Sequence, residues 1–155
     1  MCCNGVMFHK VGLQPGDSLP ELKSLGLHVK RRRRGEFSLQ PCPAYQEAHC
    51  TIYAQRPCRC RLFECRQLRQ VASGAISETM ALEKIGEAVA LVAQVNALLM
   101  AEGKNDLKKP LSKRYDQVTA EPLDPTADPE TIERREQLTV GMQALEAVLE
   151  NDFRP

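Results

Sequence analysis

The pattern of apolar and polar positions changes character partway along the chain. Early on it is short and irregular. Val6, Phe8 and Val11 to Leu13 predict an irregular strand. Pro15-Gly16 makes a turn, and Asp17 or Ser18 is placed to cap a short helix through Leu22 and Leu25 that stops at Gly26. Leu27 to Lys30 and Glu36 to Leu39 predict two strand fragments around Arg31-Arg32-Arg33-Arg34-Gly35, with glycine supplying the positive φ of a tight connection. Pro41 to Pro57 shows little periodicity and many turn formers. A short helix from about Phe63 to Ala72 ends before Gly74.

The second section is helical. Ser77 is a good N-cap with Glu78 just inside. Leu82, Ile85, Val89, Val92, Val95 and Leu99 follow at spacings of three and four, which predicts one apolar stripe on a helix ending near Gly103. Residues 104–127 carry Pro110, Pro122 and Pro125 among scattered charges and predict a connector over the surface. Asp128-Pro129-Glu130 starts another helix, whose apolar face is Ile132, Leu138, Met142, Leu145 and Leu149. The expected fold class is α+β, with short strands and turns in a metal-stabilised, cysteine-rich N-terminal part and amphipathic α-helices after it. The expected division is 1–72, 73–103, 104–127 and 128–152. The helices are expected to pack on each other or on a protein partner.

Composition sharpens the contrast between the sections. The chain has 155 residues, 43% hydrophobic and 26% charged, a globular composition, but only 5% aromatic and no Trp. Its longest uninterrupted apolar run, Ala88 to Ala93, is six residues against the roughly 20 of a membrane helix. With no charged-then-apolar leader either, the expectation is a cytoplasmic protein and no membrane partner. Residues 1–70 hold 12 Lys and Arg against 5 Asp and Glu, +7, while residues 71–155 hold 9 against 15, −6. All seven cysteines lie in the basic section.

So many thiols in a reducing compartment argue for metal ligation rather than disulfides, and an odd count leaves one thiol over. A core built from about 70 residues rarely contributes more than ~3–5 kcal/mol, whereas a structural zinc in a small peptide is worth ~10–16 kcal/mol. The spacing alone is uninformative. Thirty-eight residues separate Cys3 from Cys42, seven separate Cys42 from Cys50, nine separate Cys50 from Cys60 and four separate Cys60 from Cys65. With no C-x₂-C pair and no ferredoxin run, any site must be assembled by the fold from distant loops.

Particular residues around the cysteines carry more. Cys2-Cys3-Asn4-Gly5, then Pro41-Cys42-Pro43, Cys50-Thr51-Ile52-Tyr53, Arg56-Pro57, Cys60-Arg61 and Phe63-Glu64-Cys65 resemble, in order, the YkgJ-type cysteine-cluster family, a zinc- or iron-chelating domain with a CxxxCxxCC signature. The resemblance covers residues 1 to about 70. It implies metal ligands at Cys2, Cys3, Cys42, Cys50, Cys60 and Cys65, with zinc or iron, including a [4Fe–4S] cluster, as the cofactor. Cys58 does not match and reads as a spare. The family signature has two further cysteines before the double one, whereas Met1 directly precedes Cys2 here. Six thiols also exceed the four of one zinc or one cluster, so the ligand number stays open.

Other features read mainly as structural. His49 beside Cys50 is expected to be a solvated loop residue rather than a ligand, and His9 and His28 to be surface residues. Arg56 is expected to donate to loop carbonyls or balance thiolate charge, and Tyr53 to be packed with a bonded hydroxyl. Glu78, Glu83, Glu87 and Glu102 read as the wet face of a helix. Lys30 to Arg34 is either a solvated hairpin tip, the preferred reading, or a nucleic-acid patch, against which stands the lack of interleaved aromatics for stacking. No nucleotide-binding loop, nucleophile elbow or zincin motif is present. The expected function is therefore a metal-binding protein, with the reading leaning away from an enzyme and leaving that question open. The alternatives are an enzyme like the flagellin lysine N-methylases, which carry the same cysteine domain, and a nucleic-acid-binding adaptor.

Overall fold

A computed structural model describes residues 1–33, 35–124 and 126–155; Arg34 of the arginine run and Pro125 of the connector lie outside the described residues. The fold is α+β, with small antiparallel strands in the N-terminal part and helices after it. Two compact units are present. The first comprises Met1–Phe63 and Leu107–Pro110, the second Glu64–Asp106 and Leu111–Pro155.

In the first unit β1 (Lys10–Gly12), β2 (Val29–Arg32) and β3 (Gly35–Leu39) form an antiparallel sheet in the order β1-β3-β2. Gly12 stands opposite Phe37 in one ladder and Lys30 opposite Phe37 in the other. Helix α1 (Leu19–Ser24) begins at Ser18, whose hydroxyl accepts from the Glu21 N–H. Asp17 has a different task from capping. Its carboxylate accepts the N–H of Gln14 and that of Cys58, both at 2.8 Å, and so ties the Pro15-Gly16 turn to helix α2 (Cys58–Leu62). A second ribbon pairs β4 (Tyr45–Gln46) with β5 (His49–Cys50). The core is small: Leu22, Leu27, Ala44 and Ile52 are buried, with Cys42 and Cys50 among the half-buried side chains packed on them. Cysteines therefore border the little apolar interior this unit has.

The second unit contains α3 (Arg66–Ala72), α4 (Glu78–Ala101), α5 (Leu111–Thr119) and α6 (Pro129–Val148), the last ending in a wider turn at Leu149–Phe153. Local rules place the starts of the two long helices. Ser77 Oγ accepts from the Met80 N–H at 3.2 Å, and Asp128 Oδ1 from the Thr131 N–H at 2.9 Å. The buried face of α4 departs from expectation. Ala81, Ala88, Val95 and Leu99 are buried, whereas Leu82, Ile85 and Val89 are exposed. Residues spaced by seven with small side chains let α6 come close, and a Cβ on Gly141 of α6 would lie 3.3 Å from Val95 Cγ2. Leu138, Met142, Leu145, Leu149 and Phe153 complete that core.

Two further differences concern length and burial. The connector 104–127 contains α5, whose Leu111, Arg114 and Val118 are buried at helical spacing. An arginine in that stripe hides its period, and its guanidinium donates to Asn96 Oδ1 and to the Lys104 carbonyl. Although no apolar run exceeds six residues, α4 has an 18-residue window of mean hydropathy 1.4 and is long and apolar enough, by length and composition, to cross a membrane.

Candidate metal centre

The site is assembled from turns of the first unit. Cys3 lies on the N-terminal turn. Asn4 Oδ1 accepts the Val6 N–H there, and Gly5 adopts φ +80° against Pro41. The Cys42 N–H donates to the Cys3 carbonyl at 2.8 Å, which fixes these two segments side by side. From Cys42 the chain turns, Tyr45 N–H to Cys42 carbonyl at 3.0 Å, into β4, and the ribbon returns with Cys50 opposite Tyr45. The reversal runs through Glu47 and Ala48 at φ +46° and +66°, positions that side chains adopt at a cost. Pro57 then opens α2, and the Cys60 N–H donates to its carbonyl at 2.9 Å.

Gly5 is the tightest point of this framework. A Cβ there would lie 3.2 Å from Pro41 Cδ and N, in a backbone region that disfavours side chains by about 1–2 kcal/mol. Gly5→Ala is therefore expected to destabilise the first unit by at least that amount, read as a lower chemical-denaturation midpoint; an unchanged midpoint would show that the turn is free to relax.

All seven cysteines are of intermediate exposure. Three of them, Cys3, Cys42 and Cys60, are shifted by burial and by neighbouring thiols that include Cys50. Burial pushes the Cys3 thiol up, Cys50 adds to this, and the chain amino group and Arg56 oppose it. Burial likewise raises Cys42, with Cys3 and Cys50 adding, while backbone N–H groups of Ala44 and Tyr45 directed at its sulfur pull the other way. Cys60 is pushed up to about 12, first by burial, then by Cys3, Cys42 and Cys50, with Arg56 opposing. Cys3, Cys42, Cys50 and Cys60 thus form one electrostatic group beside a single guanidinium. Among the described residues, no three His, Cys, Asp or Glu side chains stand in an arrangement that could hold a metal ion. The four thiols are neighbours by electrostatic reach and not by ligating geometry.

The remaining candidates are placed elsewhere. The Cys2 thiol donates to Met7 Sδ at 3.6 Å. Cys65 belongs to the second unit, where it precedes α3. Cys58, outside the family pattern, contributes its backbone N–H to Asp17. His49 is exposed, with Nδ1 donating to the Glu47 carbonyl at 3.0 Å. Arg56 donates from Nε to the Tyr53 carbonyl at 2.9 Å, while its charge favours the thiolates of Cys3 and Cys60. Tyr53 is not packed as expected: it is 66% exposed, with the Arg56 guanidinium 3.6 Å above its ring. Glu102 is not on a wet face either: it is half-buried in the second unit, its side chain covered where it pairs with Arg134 and Arg135.

Comparison with protein-family models, with curated proteins and with solved structures gives no match to this chain. The resemblance to the YkgJ-type family stands on its motif residues alone.

Proposed function

We propose that the first unit is a metal-binding module of a reducing compartment, with the thiolates of Cys3, Cys42, Cys50 and Cys60 as ligands for zinc or for iron. The observation that carries this reading is the electrostatic grouping of four half-buried thiols drawn from separate turns of a unit with little apolar core. Four sulfurs are the donor set of a structural zinc or of a [4Fe–4S] cluster. Cys3, Cys42, Cys50 and Cys60 would hold such an ion once brought closer than they stand here, and it would supply the positive charge that burial and like charges now leave missing. The amides of Ala44 and Tyr45 and the Arg56 guanidinium stabilise the sulfur charge that remains. The ordered motifs from Cys2-Cys3 to Cys65 agree with a chelating family, and the role assigned to the metal is to hold the turns together.

Anaerobic purification followed by elemental analysis and a visible spectrum tests the reading. The expected result is a stoichiometric metal, colourless if zinc and brown if iron–sulfur. Because Cys3, Cys42 and Cys60 are raised, the last to about 12, these three carry their protons at neutral pH and must lose them on ligation. Zinc loading of apoprotein in buffers of different ionisation heat is therefore expected to release about three protons or more, and the apparent affinity to fall as pH falls. Release of no protons, or a substoichiometric metal that dialysis removes, would count against the assignment.

A further inference from the structure

The arginine run acquires an aromatic partner from the neighbouring strand. Residues paired across a ladder share a face of the sheet, so Gly12, Phe37 and Lys30 form one row across β1, β3 and β2. Two positions along, on the same face, Gly35 pairs with Arg32 to one side of this row and Leu39 with Lys10 to the other. Phe37 is half-buried at the centre, with cations on both flanking strands. An open groove of about 540 Å³ runs over this face, lined among others by Lys10, Arg32, Arg33 and Phe37. Glu36 is the one carboxylate among its described lining residues, and Arg31 neutralises it at 2.5 Å. The neighbours of the ring are glycines. A Cβ on Gly12 or on Gly35 would meet nothing within 4 Å, so the space beside Phe37 is open.

We infer that this face binds single-stranded nucleic acid, with a base stacked on Phe37 in the space left by Gly12 and Gly35 and with phosphates held by Lys10, Lys30, Arg32 and Arg33. A cationic groove around a partly accessible aromatic ring is the combination that single strands require, since every base has a π-face and every linkage a charge. Lys10 Nζ lies 5.7 Å from the Phe37 centroid, a long and exposed contact that a stacked base displaces while the ammonium moves to a phosphate. A duplex keeps its bases stacked inside, so it reaches the cations and not the ring. An anionic bilayer also meets the cations, but a half-buried ring flanked by Lys10 and Lys30 gives it no exposed apolar edge to insert. The site does not depend on which metal, if any, the cysteines hold.

The test measures binding of the full-length protein to fluorescein-labelled twelve-nucleotide strands of uridine and of thymidine, to a duplex of equal length, and to phosphatidylserine-containing vesicles. The single strands are expected to bind most tightly, with log K falling against log salt at about −0.7 for each phosphate held, or about −2 to −3 in all. Arg32→Ala should lower that slope by about 0.7. Gly12→Val fills the open space without touching charge, and should weaken single-strand binding roughly fivefold or more at an unchanged slope. Phe37→Leu should weaken it by roughly 5- to 150-fold, the range of base–aromatic stacking. Because Gly12 has open space for a side chain, its variant stays informative even if Phe37→Leu unfolds. Equal or tighter binding of duplex or vesicles would overturn the proposal. So would indifference to Gly12→Val, or no binding at low ionic strength.

Discussion

Cys60→Ala is expected to unfold the first unit, whereas Cys58→Ala, two residues away on the same short helix, is expected to leave it folded. Both thiols are half-buried, so burial does not separate them. Their surroundings do. Cys60 stands among Cys3, Cys42 and Cys50, which with burial push it up to about 12. Cys58 contributes a backbone N–H to Asp17 that any residue would supply. If four thiolates hold a metal, removal of one ligand forfeits much of a contribution of order 10 kcal/mol. A core of this size contributes only about 3–5 kcal/mol. The measurement is amide hydrogen exchange over residues 1–63 together with metal content. The expected outcome is fast exchange and lost metal for Cys60→Ala, with near-native protection for Cys58→Ala. Cys60→Ser, close in volume but a poor zinc ligand, should follow the alanine variant and so separate lost ligation from lost packing. Equal protection in the Cys58 and Cys60 variants would remove Cys60 from the ligand set.

The parts of the molecule legible in the sequence are those decided within a few residues. Ser18, Ser77 and Asp128 cap their helices because the bond runs from a side chain to an amide three positions on, and that spacing is visible in any chain. The α+β class and the hairpin around the arginines follow from the same kind of local reading. What the sequence does not reveal is set by pairing. The six candidate cysteines include the four of the electrostatic group, but only the turns joining Cys3 to Cys42 and Tyr45 to Cys50 select them.

The face of α4 is a second example. Leu82, Ile85 and Val89 carry more apolar surface than Ala81 and Ala88, so a stripe drawn on hydrophobicity alone follows them. The helix instead buries the small residues, because Gly141 on α6 opens a close approach there. Phe37 is a third, since nothing within a run of arginines announces an aromatic that a strand register brings alongside. Buried charge behaves likewise. Arg114 and Glu102 look like solvated charges until their partners on other elements are placed.

Glu102 carries the second large effect. Its carboxylate follows the last turn of α4, is 7% exposed, and accepts from Arg134 Nε at 2.7 Å and Arg135 Nε at 3.1 Å. Arg135 also donates to the Glu121 carbonyl at 2.7 Å, so one acid joins the end of α4, the start of α6 and the segment between them. Glu102→Gln keeps the volume but leaves two adjacent guanidinium groups without the charge between them. Breaking a fully buried pair costs ~3–5 kcal/mol and an exposed one ~0–1 kcal/mol; for a half-buried carboxylate between two partly exposed arginines about 1–2 kcal/mol is expected. That corresponds to roughly 5–15 °C in the melting temperature of a unit of this size. The pH dependence distinguishes lost charge from lost packing. Burial alone would raise the Glu102 carboxyl, but the hydrogen bonds and charges of the two arginines outweigh it and hold it below the ordinary value of 4.5. A depressed carboxyl contributes stability that is fully present above its unfolded value and is lost as pH falls through its folded one. The gap between wild type and Glu102→Gln, followed by helical circular dichroism, should therefore stay constant from pH 7 down to about 5.5 and close progressively below about 4.5. A gap at pH 3 equal to that at pH 7 would assign the loss to packing and leave the arginines no electrostatic role.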